Sequence, residues 1–179
     1  MTLLRMIPNL LSTFRLLLAL VFPFCPQSEW IWLVLAGGAS DVLDGWIARR
    51  WHLESWQGSL LDAVADKLFV LSVLVTFVLS GRFSPWWVPG LIVRDLTVAL
   101  IALYAFCRRE WESFRQMKAS ISGKLATAGQ FLFFATVVLA PAFIDTIFAV
   151  AVLFSILAAL DYGRRFILAL RQRAVEKSI

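Results

Sequence analysis

Six apolar stretches, at about residues 7–24, 30–49, 58–80, 86–106, 121–140 and 143–163, fill most of this 179-residue chain. Most are close to the ~20 residues that an α-helix needs to span hydrocarbon, and the breaks between them carry Pro, Gly or charge. With 60% hydrophobic residues and a mean hydropathy of +0.80, the chain has more apolar surface than a soluble domain of this size needs. The pattern predicts an all-α integral membrane protein of six transmembrane helices with short loops. It leaves no room for a second domain, so residues 1–179 are read as one transmembrane domain, with 164–179 as a basic cytoplasmic tail.

A net charge of +5 and a pI near 9.8 would suit a nucleic-acid binder, but the placement of the charge argues otherwise. Of the 17 basic residues, Arg5, Arg49, Arg50, Arg108, Arg109, Arg115, Lys118, Arg164, Arg165, Arg171, Arg173 and Lys177 fall at the termini and in alternate loops. The opposite side keeps only Arg82. This is the positive-inside pattern, which puts both termini in the cytoplasm and makes the basic charge a matter of topology and anionic-lipid contact. The expectation is a bacterial-type inner membrane protein with no nucleic-acid partner. The two cysteines, Cys25 and Cys107, are expected on opposite membrane faces and unpaired. The first apolar stretch lacks a small-x-small cleavage site and is interrupted by Arg15, so it reads as a retained helix.

The residues that such a chain has least reason to contain are Asp41, Asp44, Asp62 and Asp66. Each carboxylate costs about 2.5–3.5 kcal/mol at a bilayer centre. Asp41 and Asp44 are three residues apart and Asp62 and Asp66 four apart, so on two helices each pair projects from one face. The polar turn between them brings the two faces together, and something positive must sit between four carboxylates. Oxygen-only ligands favour a hard cation, and four have charge enough for two Mg²⁺, with Mn²⁺ as the alternative. Two such ions form a clamp for a phosphate or pyrophosphate at which a hydroxyl attacks in line. Gly45 and Gly58 would let a bulky ligand approach the backbone, and Arg49 would add a phosphate contact. The plainer reading has the aspartates capping helices or pairing with nearby Arg and Lys.

The arrangement Asp41-x2-Asp44-Gly45-x2-Ala48-Arg49-x8-Gly58-x3-Asp62-x3-Asp66 resembles the complete signature of the CDP-alcohol phosphotransferase (CDP-alcohol phosphatidyltransferase) family, at eight fixed positions. The resemblance implies that Asp41, Asp44, Asp62 and Asp66 hold the metals and that Asp66 is also the general base. It implies that Gly45, Ala48, Arg49 and Gly58 receive the cytidine diphosphate part of the donor, and that the protein is a homodimer. The reaction it implies moves a phosphatidyl group from CDP-diacylglycerol to an acceptor hydroxyl: Asp66 takes the proton, the oxygen attacks the β-phosphorus and CMP leaves.

Further polar residues bear on the acceptor. Asn9, Ser12 and Arg15 recur at three-residue spacing on the first span; they read either as an N-cap with a snorkelling arginine or as a polar face turned to the site. Pro8-Asn9-Leu10-Leu11-Ser12-x2-Arg15 resembles the opening of phosphatidylglycerophosphate and cardiolipin synthases of the family. Arg94-Asp95 is costly in a span and reads either as a site feature or as a structural pairing with an acid on a neighbouring helix. Lys124 opens the fifth span in a stretch that resembles Gly-Lys-x2-Thr-Ala-x-Gln of the same enzymes, where the lysine faces the acceptor's phosphate. Asn9, Ser12, Arg15, Arg94 and Lys124 are thus the residues put forward for contact with acceptor or lipid phosphate. His52 reads as solvated, and the 107–120 linker as an amphipathic segment or a gatherer of an anionic acceptor.

Similarity along the chain points to a glycerol-type acceptor, with glycerol 3-phosphate first and phosphatidylglycerol, giving cardiolipin, as the alternative. One departure favours the alternative: phosphatidylglycerophosphate synthases carry Arg-Glu at Arg94-Asp95 and a second Arg where Ala102 stands. A rival from another class is a membrane cation carrier lined by the aspartates. Their clustering near one face, with no acids continuing to the other, argues against it, and a pure scaffold would not explain four carboxylates.

Overall fold

The computed structural model describes residues 2–50, 56–108 and 120–176, and it leaves aside the side chains of 2–8, 44, 45, 48, 49, 56, 57, 59, 60 and 173–176. Among the described residues there are six long helices and no strand: α1 Thr2–Val21, α2 Trp30–Arg50, α3 Trp56–Leu79, α4 Val88–Cys107, α5 Ile121–Leu139 and α6 Ile144–Glu176. Short 3₁₀ turns cover Phe22–Phe24, Pro85–Trp87 and Pro141–Phe143. Each contains a proline, which has no N–H to give to a continuing α-helix and so sets the corner.

By length and composition, Pro85–Cys107, Ile121–Leu139 and Pro141–Gln172 can cross a membrane, while Asn9–Phe24 and Trp30–Leu43 are shorter apolar helices. Arg15 interrupts α1, the acidic motif occupies the end of α2, and Asp62, Asp66 and Lys67 fall in the first half of α3. The three charges of α3 lie within 6 residues at the start of its apolar run, whereas Asn9–Phe24 and Trp30–Leu43 are the continuous parts of α1 and α2 whose side chains are described.

The chain forms two compact units, Met1–Ser84 with Val137–Ala140, and Pro85–Thr136 with Pro141–Ile179. In the first, α1 packs along both α2 and α3. A buried aromatic group closes one end: Phe22 stacks on Trp30 at 6.0 Å between ring centroids, and Trp30 meets Phe77 at 5.3 Å. Trp30 is therefore core, and its indole N–H donates to the Cys25 carbonyl; Trp32, two residues on and so on the other side of the helix, is exposed. Ser72 ties α3 to α1 by donating to the Ala19 carbonyl at 2.6 Å. At the end of α3, Gly81 takes φ +68° while Arg82 N–H reaches back to the Phe77 carbonyl, the left-handed C-cap for which glycine has no steric penalty.

Helix α1 also begins earlier than its Pro8 suggests. It starts at Thr2, which puts Pro8 inside the helix instead of in its first turn. A proline there removes one i→i−4 bond without preventing the neighbouring turns from forming.

In the second unit α4 lies along α6. Gly90 faces Val152, where an added Cβ would sit 3.0 Å from a methyl, and Trp87 stacks on Phe148 at 4.1 Å. Toward the other end Ile101 and Ala105 pack with Phe166. The basic segment is helical: α6 runs unbroken for 33 residues through Arg164, Arg165 and Arg171, and Phe166 and Ala169 are buried and give its last turns a partner. At 1.5 Å per residue it is about 50 Å long, well beyond a hydrocarbon core of about 30 Å.

Candidate active site

Helix α3 buries a stripe made of Ala65, Phe69, Val70, Val73 and Phe77. Asp62 and Asp66 lie before Phe69 and Val70 at helical spacing, so they continue that stripe, and both are half-buried. Helix α2 meets α3 closely at Gly37, where a Cβ would come within 2.4 Å of the Phe69 ring. Asp41 follows one turn later on α2. From α1, Ser12 and Arg15 enter the same region, Ser12 at 2% exposure and Arg15 at 0%.

Arg15 is the centre of the geometry. Its Nη1 lies 2.9 Å from Asp62 Oδ1 and 3.3 Å from Asp41 Oδ1. Its Nε donates to Ser40 Oγ at 3.2 Å, and that hydroxyl in turn donates to the Gly37 carbonyl at 2.8 Å. One guanidinium thus joins three helices, with a carboxylate from each of two. The carboxylates are 29% and 41% exposed against its own 0%. The positive charge required between the aspartates is, in the protein itself, Arg15. Of the two readings of this arginine, snorkelling is corrected: a side chain with no exposed surface is buried against its acids. Asn9 does not share the burial. Steps of three residues turn the helix by about 300°, so position 9 has rotated about 120° from position 15.

Asp66 has one oxygen near a cation and one without a partner among the described residues. Lys67 Nζ is 3.4 Å from Oδ2; although adjacent residues point about 100° apart, the long lysine stem bends round to its neighbour. Oδ1 is buried and accepts no hydrogen bond from the described residues. A buried carboxylate oxygen without a donor is costly, and a hard cation is the partner that oxygen-only donors suit. The donor chemistry of Asp41, Asp62 and Asp66 therefore fits Mg²⁺ or Mn²⁺. Among the described residues, no three His, Cys, Asp or Glu side chains are gathered into a metal-holding group. Asp44, the fourth aspartate of the motif, has its side chain outside the described residues, as do Gly45, Ala48 and Arg49. Gly58 is half-buried in the first turn of α3.

The two residues put forward for acceptor contact on later helices belong to the second unit. Arg94 is 12% exposed and largely committed within the protein. It holds its neighbour Asp95 through Nε and Nη2, at 3.1 and 2.7 Å, and Nη1 donates to the Gly123 carbonyl at 2.9 Å and to Thr127 Oγ1 at 2.6 Å. Of the two readings, the pairing is present with a different partner: the acid is the next residue in the chain, and the neighbouring helix supplies a carbonyl and a hydroxyl. Lys124 is exposed. Near it, Ser122 donates to Asp161 Oδ2 at 2.6 Å, Arg165 Nε donates to Asp161 Oδ1 at 2.9 Å, and Ser120 caps α5 by accepting from Gly123 N–H. His52 and the linker residues Arg109, Glu110, Glu112, Arg115 and Lys118 lie outside the described residues.

Ser40, Thr127 and Asp161 are partners that no sequence pattern singles out. Ser40 directly precedes Asp41, and Thr127 follows Gly123 by one turn, but neither spacing says which arginine it meets.

A family model described as CDP-alcohol phosphatidyltransferase matches residues 5–158. The chain is 37% identical over 131 residues to the cardiolipin synthase (CMP-forming) of Streptomyces coelicolor, a match covering 68% of this chain and 59% of that protein. It is 30% identical over 151 residues to the CDP-diacylglycerol–glycerol-3-phosphate 3-phosphatidyltransferase of Sodalis glossinidius, covering 75% and 78% of the two. The protein of that name from Salmonella choleraesuis is 30% identical over 139 residues, covering 69% and 71%. The chain spans about three fifths of the length of the cardiolipin synthases it matches.

Proposed function

The chain belongs to the CDP-alcohol phosphatidyltransferase family, and from that premise we propose that it transfers a phosphatidyl group from CDP-diacylglycerol to a glycerol-type acceptor, with release of CMP, in phospholipid biosynthesis. The observation that carries this reading is the acidic centre of the first unit, where Asp41 and Asp62 share a buried Arg15 and Asp66 keeps a buried oxygen with no donor among the described residues. A membrane protein tolerates such a group where it performs chemistry.

Asp41, Asp44, Asp62 and Asp66 are the residues that would hold two Mg²⁺, and Gly45, Ala48, Arg49 and Gly58 those that would receive the cytidine diphosphate. The bound cations would neutralise the pyrophosphate and stabilise the charge that develops on it. Asp66 accepts the proton of the acceptor hydroxyl, whose oxygen then forms a bond to the β-phosphorus as the bond from that phosphorus to CMP breaks. Packing of α1, α2 and α3 fixes the carboxylates against one another, which supplies orientation. All six helices cross the membrane in this reading, both termini are cytoplasmic, the membrane is a bacterial-type inner membrane, and the protein acts as a homodimer.

Between the two acceptors, phosphatidylglycerol now stands ahead of glycerol 3-phosphate. A small phosphorylated acceptor needs free cations, whereas most donors of Arg94 are engaged by Asp95, Gly123 and Thr127, and Ala102 offers none. The relatives named as cardiolipin synthases support the same order.

The test is CMP release by purified protein with CDP-diacylglycerol and Mg²⁺, offering phosphatidylglycerol or glycerol 3-phosphate. Release with phosphatidylglycerol alone is the expected result; release with glycerol 3-phosphate alone reverses the order. No release with either, together with Mg²⁺ transport into vesicles, would replace the enzyme by a cation carrier.

A further inference from the structure

We infer that Arg15 is a positioning residue: a resident countercharge that holds Asp41 and Asp62 together across α1, α2 and α3 before any metal arrives, and so sets how strongly the metal is needed for folding. It is thereby not a contact for acceptor or lipid phosphate.

A guanidinium with no exposed surface offers nothing to a ligand that must arrive from outside, and its Nε and Nη1 already meet Ser40, Asp41 and Asp62. It is charged at every accessible pH, and it offsets the repulsion of two carboxylates that three-helix packing forces together. The contacts to Asp41 and Asp62 among the described residues both run to Oδ1, so one oxygen of each carboxylate is held by the clamp. Ser40, itself held by the Gly37 carbonyl, fixes the arginine from α2 beside the close approach of that helix to Phe69. An arginine bound this way replaces part of the positive charge that a cation would bring.

The clamp has two consequences, and only the second rests on the proposed metal site. Removing Arg15 destabilises the metal-free protein, and the loss is relieved by removing one of the carboxylates it holds. Removing Arg15 also makes the protein depend more on divalent cation for stability, because the cation then supplies the countercharge alone.

The experiment is thermal unfolding of the full chain in detergent, with EDTA or with Mg²⁺, for wild type, Arg15→Gln, Arg15→Lys, Asp62→Asn and the double variant Arg15→Gln with Asp62→Asn. In EDTA, Arg15→Gln is expected to lower the melting temperature by roughly 10 °C. Arg15→Lys should recover part of that loss. Asp62→Asn should lower the melting temperature of the wild type yet raise that of Arg15→Gln. Mg²⁺ should raise the melting temperature of Arg15→Gln more than that of the wild type. A double variant no more stable than Arg15→Gln would overturn the inference, since an arginine that merely fills space is not rescued by neutralising an acid. If Arg15→Gln does not fold, a folded double variant supports the countercharge and an unfolded one overturns it. Rescue in EDTA without any Mg²⁺ effect would retain the clamp and count against the metal site, which separates the two failures.

Discussion

Arg15 on α1 and Arg94 on α4 are both arginines sunk into apolar helices, 0% and 12% exposed, and they are satisfied in opposite ways. Arg94 meets the acid next to it in sequence and spends its remaining reach on a carbonyl and a hydroxyl of α5. Its charge is balanced by its neighbour, and the bonds tie two helices. Arg15 is shared between two acids that come from two other helices, and Asp66, one turn beyond Asp62, retains a buried oxygen with no donor among the described residues. Around Arg94 the charges close; around Arg15 negative charge is left in excess. Buried polar groups that are fully paired stabilise a fold, and those left partly unpaired mark where a ligand completes the set.

The largest effect is expected for Asp66→Asn. If the excess charge of the first unit is the catalytic centre, CMP release falls by about 10³-fold while the protein still binds CDP-diacylglycerol and unfolds at an unchanged temperature. An active Asp66→Asn would remove the base from the mechanism. Arg94→Gln is the matching change in the second unit. It leaves Asp95 without its guanidinium at a cost of about 3–5 kcal/mol, so the melting temperature drops while the acceptor KM of the folded fraction stays within about twofold. A raised KM at unchanged stability would return Arg94 to the acceptor site.

Two glycines give a finer contrast. Gly37→Ala drives a Cβ to 2.4 Å from the end of the Phe69 ring, which is itself fully buried, so about 1–3 kcal/mol of stability is lost. Activity falls with it, because α2 and α3 carry Asp41 and Asp62. Gly123→Ala meets an equally short distance, but to the hydroxyl end of the half-buried Tyr162, which can swing away. Stability should change by less than about 1 kcal/mol and CMP release hardly at all; a drop as large as that of Gly37→Ala would place the second unit's packing in the reaction. The smallest effect is expected for Ser122→Ala, which takes one donor from Asp161 and leaves Arg165 in place. Its loss should be about 0.5–1.5 kcal/mol, read from the unfolding midpoint.

Much of the fold is legible in the sequence because apolar runs, prolines and glycines act locally. The helices begin and end near the breaks that Pro23, Pro85, Gly81 and Pro141 announce. The acidic motif is legible for a different reason: carboxylates at three- and four-residue spacing are costly in apolar sequence, and a chain keeps them there chiefly where they meet a cation. The place of Trp30 is not legible, because an aromatic near a helix end serves a membrane interface or a core equally well by sequence. Only its contacts with Phe22 and Phe77 decide which. The last turns of α6 are hidden in the same way, since a basic segment looks solvated until Phe166 finds Ile101 and Ala105.

Sequence was enough for the helices, their apolar character, the family and the four aspartates, all of which depend on residues close together in the chain. Which charges meet was settled only by tertiary packing. Asp62 lies 47 positions from Arg15 and Ser40 lies 25, and no periodicity specifies such a contact. It is fixed by where Gly37 lets α2 approach Phe69 and by how α1 packs on both helices. A guanidinium chooses among acids by small differences in distance, and those exist only once the helices have packed.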